Sequence, residues 1–222
     1  MKLKKNLIGI SGKMGAGKDT AGKIIQKLHP EFELKSFAHK VKVVCSILTG
    51  FPVGNFYDPG FKDSTLPEEW NHRIRANTGN NKGNIIFDKP LTVREMLQKV
   101  GTDCLRDNLH KNVWVNALLS EYDKLHLVKS DQPTLDFAAE ETHIYPYWII
   151  TDVRFPNEVE AIQDRGGIVI RLTRETTEAI NGIHESETAL DNFTHWNHII
   201  DNRDGDLERL EENIKKIISA YE

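Results

Sequence analysis

The chain has 222 residues, 39% of them hydrophobic and 28% charged, and a formal net charge of −4. This length suits one domain with a smaller insertion, and the acidic balance argues against a general nucleic-acid binder. The two cysteines, Cys45 and Cys104, lie far apart in the sequence, which disfavours a disulfide framework or a zinc site. The apolar run at residues 7–10 is too short for a signal-peptide core or a membrane span. We therefore expect a cytoplasmic protein without a membrane partner.

A glycine-rich segment follows the first apolar run directly. Residues 7–11 have the composition of a short buried strand, and the chain continues as Gly12-Lys-Met-Gly-Ala-Gly-Lys-Asp-Thr20. Gly12, Gly17 and Lys18 match the pattern G-x-x-x-x-G-K, in which main-chain N–H groups and the start of a helix hold a polyphosphate. The expected phosphate-binding residues are Gly12, Lys13, Gly15, Ala16, Gly17, Lys18, Asp19 and Thr20. The alternative is a turn that only joins a strand to a helix.

Two residues are candidate magnesium ligands. The phosphate-loop pattern calls for Ser or Thr directly after the lysine, but Asp19 stands there and Thr20 comes next, so we assign the hydroxyl role to Thr20. Asp152 ends an apolar run, as the second magnesium-handling carboxylate of phosphate-loop enzymes does. An ordinary turn aspartate after a strand is the alternative for Asp152.

Apolar runs alternate with helical patterns along the chain. The predicted strands are 7–11, 33–37, 147–152, 168–172 and 198–201, and the predicted helices are 20–28, 38–48, 92–100, 113–125, 156–163 and 207–218. This alternation predicts a layered α/β fold with a mainly parallel sheet. Ligands of such sheets bind beyond the carboxyl ends of the strands, so residues 12–20, 152–154 and 171–174 are expected to converge.

Residues 50–92 are rich in Gly, Pro, Asn and Asp and show no strong period. We expect an insertion near the substrate, with an exposed turn at residues 77–84 and a short edge strand at 84–88; a plain surface loop is the alternative. Thr92 and Glu95 have the spacing of a capping box, and Gly101 is expected to end that helix before a second short helix begins at Thr102. Residues 126–146 are expected to form a surface connection.

Three arginines follow predicted strands. Arg154 is a candidate clamp for an acceptor phosphate, with a surface pair to Glu158 as the alternative. Arg171 and Arg174 border a polar segment, residues 174–196, that suits a lid closing over the transferring group. Alternation along the strand turns Arg171 away from the site, so Arg174 is the preferred catalytic arginine. His184 lies within this segment, and we interpret it as part of a polar surface rather than a metal ligand.

The acceptor side is predicted from polar residues on helices outside the loop. Lys42, Arg94 and Arg106 offer cations for a monophosphate, and Gln98 has the paired donor and acceptor needed to bind a base edge. Solvated helix faces are the alternative for each of them.

Several motifs together resemble the phage-type deoxynucleoside monophosphate kinases. They are Gly12-Lys-Met-Gly-Ala-Gly-Lys-Asp-Thr20, Leu97-Gln-Lys-Val-Gly-Thr-Asp103, Val113-Trp-Val115, Thr151-Asp-Val-Arg-Phe-Pro-Asn-Glu158 and Ile200-Asp-Asn-Arg-Asp-Gly205. The resemblance spans most of the chain and is weakest at residues 50–90 and 126–146. It implies a P-loop kinase fold in three layers, formed by one domain over residues 1–222, with an acceptor-binding insertion at about 50–110 and a lid at about 174–196.

The resemblance also implies an activity. ATP and magnesium would be the donor and cofactor, a deoxynucleoside monophosphate the acceptor, and Asn202 would lie by the donor adenine. In this interpretation Lys18, Arg154 and Arg174 are catalytic. A kinase of another small phosphorylated metabolite, such as phosphomevalonate or dephospho-coenzyme A, is the alternative enzyme, and a slowly hydrolysing nucleotide switch or assembly protein is the alternative of another class. Nucleotides are the expected partners, and a homodimer is left open.

Overall fold

A computed structural model describes residues 6–77, 84–124, 127–129, 142–174, 185–203 and 206–221. The strands are β1 Leu7–Gly12, β2 Glu33–Lys35, β3 His72–Asn77, β4 Asn84–Lys89, β5 Leu127–Lys129, β6 Thr142–Ile144, β7 Trp148–Val153, β8 Ile168–Thr173 and β9 His198–Asp201. The α-helices are α1 Lys18–Leu28, α2 Phe37–Thr49, α3 Pro59–Asp63, α4 Val93–Gln98, α5 Val113–Lys124, α6 Pro156–Asp164, α7 Glu185–Thr188 and α8 Leu207–Ser219. Short 3₁₀-helices span Val53–Tyr57 and Glu68–Trp70, and a π-helix spans Lys99–Arg106.

Five strands form one parallel sheet in the order β2-β7-β1-β8-β9, which confirms the predicted mainly parallel α/β fold. The sequence explains why β1 is central. All six of its residues are buried, as expected for a strand that is covered on both faces. The carboxyl ends of β1, β7 and β8 therefore lie side by side at one edge, where ligands of such sheets bind.

Helices cover both faces of this sheet. On one face, α1 and α8 bury their apolar stripes against Ile8 and Ile10 of β1 and Ile170 of β8. On the other face, Ile162 of α6 packs so close to β1 that a Cβ at Gly9 would lie 2.8 Å from its Cδ1 atom. The two helical layers, with the sheet between them, make up the three-layer fold.

The chain divides into two compact units. Unit 1 comprises Met1–Phe37 and Val115–Glu222 and contains the parallel sheet, and unit 2 is Ala38–Trp114. Unit 2 has its own small core, in which the Phe56 and Phe61 rings meet edge to face at a centroid distance of 5.5 Å. It also contains the antiparallel pair β3–β4, of which β4 confirms the predicted edge strand at residues 84–88. The predicted turn at 77–84 lies for the most part outside the described residues, since residues 78–83 are not described.

The helix that begins after Thr92 differs from the prediction at its end. The capping box is present: the Glu95 amide donates to Thr92 Oγ1 at 3.1 Å, and the Thr92 amide donates to Glu95 Oε2 at 3.0 Å. The predicted stop at Gly101 is wrong, because α4 continues directly into the π-helix Lys99–Arg106. The Trp114 indole Nε1 donates to the Gly101 carbonyl at 2.6 Å.

Two segments that were expected to be irregular contain short elements. Residues 126–146 include the antiparallel pair β5–β6, whose connection at 130–141 lies outside the described residues. Within the predicted lid, α7 forms at Glu185–Thr188, and residues 175–184, with His184 among them, are not described. Among the described helices, none is both long enough and apolar enough to cross a bilayer.

Candidate functional site

The phosphate loop connects β1 to α1 in the backbone conformation that its glycines permit. Gly15 has φ 78° and Gly17 φ 95°, both in the left-handed region where an L side chain is strained. Gly17 is also the N-cap of α1 and has no side chain with which to cap it, so the first N–H groups of the helix remain for a ligand. Asp19 and Thr20 are exposed in the first helical turn.

Lys18 folds back over the loop that it follows. Its Nζ donates to the carbonyl oxygens of Gly12 at 2.6 Å and Lys13 at 2.9 Å. Burial, and next the positive charge of Arg154, lower the pKa of Lys18 to about 8, although the carboxylates of Asp19 and Asp152 oppose this shift. The ammonium group is therefore poorly compensated by the protein and suited to an anionic ligand.

Arg171 and Arg174 both contact the loop or its strand. Arg174 Nη1 donates to the Gly15 carbonyl at 3.0 Å, so its guanidinium lies at the loop. Arg171 lies on the α6 face of the sheet, where its Nη1 donates at 2.9 Å to Oγ of Ser11, its register partner on β1. The preference for Arg174 as the catalytic arginine stays a prediction.

Asp152 is tied to the start of α2 by both carboxylate oxygens. Its Oδ2 accepts from Ser36 Oγ at 2.7 Å, and its Oδ1 accepts from the Phe37 amide at 2.9 Å. The Asp152 carboxylate and the Thr20 hydroxyl are each oxygen ligands of the kind that Mg²⁺ prefers. Sequence reasoning missed Ser36, although Ser directly before a helix is a common capping residue.

Arg154 follows β7 and faces the segment around α7. Its Nη1 lies 3.4 Å from Ser186 Oγ. Glu158, which was considered as a surface partner, is only 6% exposed, and its Oε2 accepts from the main-chain amides of Arg154 at 2.6 Å and Phe155 at 3.1 Å. Glu158 thus fixes the backbone that presents Arg154.

Asn202 is hydrogen-bonded to the backbone of the phosphate loop. Its side-chain Nδ2 donates to the Ala16 carbonyl at 3.0 Å, and the residue is 7% exposed. A Cβ at Gly17 would lie 3.0 Å from the same Nδ2 atom. Close contact with Asn202 is therefore a second reason why glycine occupies position 17.

The predicted acceptor residues lie on the helices of unit 2. Lys42 Nζ sits 3.5 Å from the centre of the Tyr57 ring. Arg94 forms a two-point ion pair with Asp63 Oδ1, through Nε at 2.9 Å and Nη2 at 2.7 Å. The Arg106 side chain, 11% exposed, lies 3.3 Å from Asp107 through its Nη1, and Gln98 is exposed on α4. An acceptor phosphate that binds Arg94 would have to replace Asp63.

Asp191 is a charged residue that sequence reasoning missed. It lies 3.1 Å from Lys13 Nζ, and no local motif around it predicts this position. Contacts of this kind depend on chain segments that are distant in sequence, so only the folded arrangement identifies them.

Comparison with known proteins identifies the family of the chain. The model of the family described as deoxynucleotide monophosphate kinase matches residues 61–214. A protein of Acanthamoeba polyphaga mimivirus, provisionally named deoxynucleotide monophosphate kinase, is 29% identical over 97% of this chain and 96% of its own length. The deoxynucleotide monophosphate kinase of Escherichia phage RB69 is 27% identical over 57% of this chain and 45% of its own, and that of Enterobacteria phage T4 is 27% identical over 58% and 46%. The chain therefore belongs to the deoxynucleotide monophosphate kinase family.

Proposed function

We propose that this protein transfers the terminal phosphoryl group of ATP to a deoxynucleoside monophosphate and releases the diphosphate and ADP. The observation that carries the proposal is the set of cations around the phosphate loop, in which Lys18 and Arg174 donate to loop carbonyls and Arg171 to the end of β1. These donors face a loop whose shape suits a polyphosphate. The family membership supplies the acceptor class.

On the donor side, Lys18 and the loop amides bind the β- and γ-phosphates, with Gly12, Lys13, Gly15, Ala16, Gly17 and Asp19 as the surrounding loop. Arg174 neutralises charge on the transferring group, together with Arg171. Thr20 and Asp152 would hold Mg²⁺, which supplies charge neutralisation at the phosphates. The hydrogen bonds to Ser36 and Phe37 hold the Asp152 carboxylate in place, and it would act on the ion directly or through water. Asn202 holds the loop beside the nucleotide.

On the acceptor side, we infer that Arg154 is the candidate phosphate-binding residue of unit 1, and that Lys42, Arg94, Gln98 and Arg106 are the candidate acceptor-binding residues of unit 2. An acceptor phosphate oxygen forms a new bond to the γ-phosphorus while the bond between that phosphorus and the β,γ-bridging oxygen breaks, and ADP leaves with the electron pair. The acceptor oxygen is already ionised near neutral pH, so no general base is required. Positioning and charge neutralisation then account for catalysis.

A panel assay tests the proposal. Purified protein with ATP and Mg²⁺ is offered each deoxynucleoside and ribonucleoside monophosphate, phosphomevalonate and dephospho-coenzyme A, and ADP formation is followed. We expect the wild type to turn over at least one deoxynucleoside monophosphate. Turnover should be at least 10²-fold lower in Lys18→Met, because a group central to charge stabilisation is lost. The control Lys23→Met changes an exposed lysine of the same helix and should leave turnover unchanged.

Two outcomes would contradict the proposal. ATP consumption that does not depend on any acceptor would favour the nucleotide switch. Turnover confined to phosphomevalonate or dephospho-coenzyme A would leave a phosphate-loop kinase but overturn the acceptor class.

A further inference from the structure

The Asp191 carboxylate faces cations that belong to two different parts of the phosphate site. Lys13 Nζ, from the loop, lies 3.1 Å from both Oδ1 and Oδ2, a symmetric contact to the whole carboxylate. Arg171 Nη2, from β8, lies 4.0 Å from Oδ1. The phosphates of a donor nucleotide bound at this loop would interact with the same two cationic side chains.

Asp191 is held in place by an ordered turn. Its amide donates to the Thr188 carbonyl at 2.9 Å, and the neighbouring Leu190 is only 4% exposed. Farther along, Arg171 lies over the Trp196 ring, 5.2 Å from its centre. Gln163 of α6 binds the carbonyl of His195 through Nε2 at 2.9 Å. The backbone that carries the Asp191 carboxylate is therefore anchored beside the loop.

Several cations lie near Asp191 and the phosphate loop. Lys13, Lys18, Arg171 and Arg174 bring positive charge to one loop. Burial lowers the pKa of Lys18 most, and the charges of Arg154 and Arg171 lower it further. Burial lowers the pKa of Arg171 also, and the charge of Asp191 is what opposes that shift. Asp191 is thus a counter-ion of Lys13 and Arg171, and a bound polyphosphate would be a second one.

We propose that Asp191 sets the affinity of the donor site, because it occupies Lys13 and Arg171 as an anionic placeholder and competes with the donor phosphates for them. The inference rests on the proposed function of the loop. The Lys13 and Asp191 side chains are 46% and 37% exposed, so solvent screens the contact and its effect is modest. The placeholder keeps both cations positioned before the nucleotide binds and recaptures them when the product leaves.

Calorimetric titration with Mg·ADP and Mg·ATP tests this idea on the full chain. Asp191→Asn keeps the shape and removes the charge, so we expect nucleotide dissociation constants two- to five-fold lower than in the wild type, the range for an exposed ion pair. In the Lys13→Met background the same change should produce at most half of that gain, because one of its two partners is gone. If Asp191 had only a structural role in the turn, Asp191→Asn would weaken nucleotide binding or leave it unchanged.

Asp123→Asn is the matched control, since Asp123 is also an exposed aspartate paired at two points with an arginine, Arg165. It should leave nucleotide affinity unchanged. Unaltered or weaker binding in Asp191→Asn, or an equal gain with and without Lys13, would overturn the inference while the donor site stands. If the wild type binds no nucleotide at all, the proposed function fails, and the placeholder role fails with it. Melting temperatures of all variants show whether each is folded.

Discussion

Lys18 keeps a positive charge in a half-buried loop that other cations surround. Its pKa of about 8 lies below the ordinary value of 10.5, so between these two pH values the unfolded chain binds more protons at this group than the folded chain does. The contribution of Lys18 to the free energy of unfolding therefore rises with pH across that window. The charged lysine weakens the folded protein at neutral pH, as is common where a functional site sacrifices stability.

The same pKa predicts how donor binding depends on pH. The polyphosphate requires the ammonium form, and ATP is fully ionised above pH 7.5, so affinity for Mg·ATP should fall as pH rises through about 8. In Lys18→Arg the charge persists across this range, and the affinity, though altered in magnitude, should stay level. Calorimetric titration of both proteins from pH 7.5 to 9.5 is the measurement. A flat wild-type profile would show that Lys18 does not control the donor site.

Among the elements, the helix after Thr92 shows which local signals suffice. The Thr92 and Glu95 spacing predicted the capping box because the bonds that form it lie within one turn. The Gly101 stop failed because the helix continues there with π geometry, and the Gly101 carbonyl also accepts from Trp114 of α5; a sequence scan reveals neither. Strands β5 and β6 were missed because they are three residues long and have no period.

The cap at Thr92 makes a stability prediction. Thr92→Ala removes the acceptor of the Glu95 amide and should lower the free energy of unfolding by about 1 kcal/mol. Urea denaturation followed by circular dichroism measures the change. Thr65→Ala is the control, because Thr65 faces Thr92 across an isolated bridge and is exposed. An equal loss in both variants would mean that the cap contributes nothing specific.

At the scale of the whole molecule, the parallel sheet was predictable and the charge arrangement only in part. Strand, loop and helix could be predicted here because the buried run of β1, the glycines and Lys18 follow one another in sequence. Arg171 and Asp191 meet through the pairing of β8 and the turn after α7, which no short motif encodes. A chain with net charge −4 thus gathers cations at one loop, which should attract anionic nucleotides.

The division into two units separates the donor and acceptor proposals experimentally. The donor loop and α1 belong to unit 1, whereas Arg94, Gln98 and Arg106 belong to unit 2. Hydrogen exchange followed by mass spectrometry should show that Mg·ADP slows exchange at residues 12–20. The accepted deoxynucleoside monophosphate alone should slow it in peptides covering residues 93–106, because a bound ligand stabilises the helix against local opening. Lys18→Met should lose the first protection and keep the second. Acceptor-induced protection confined to unit 1 would remove Arg94, Gln98 and Arg106 from the acceptor site and leave Arg154 as its principal cation.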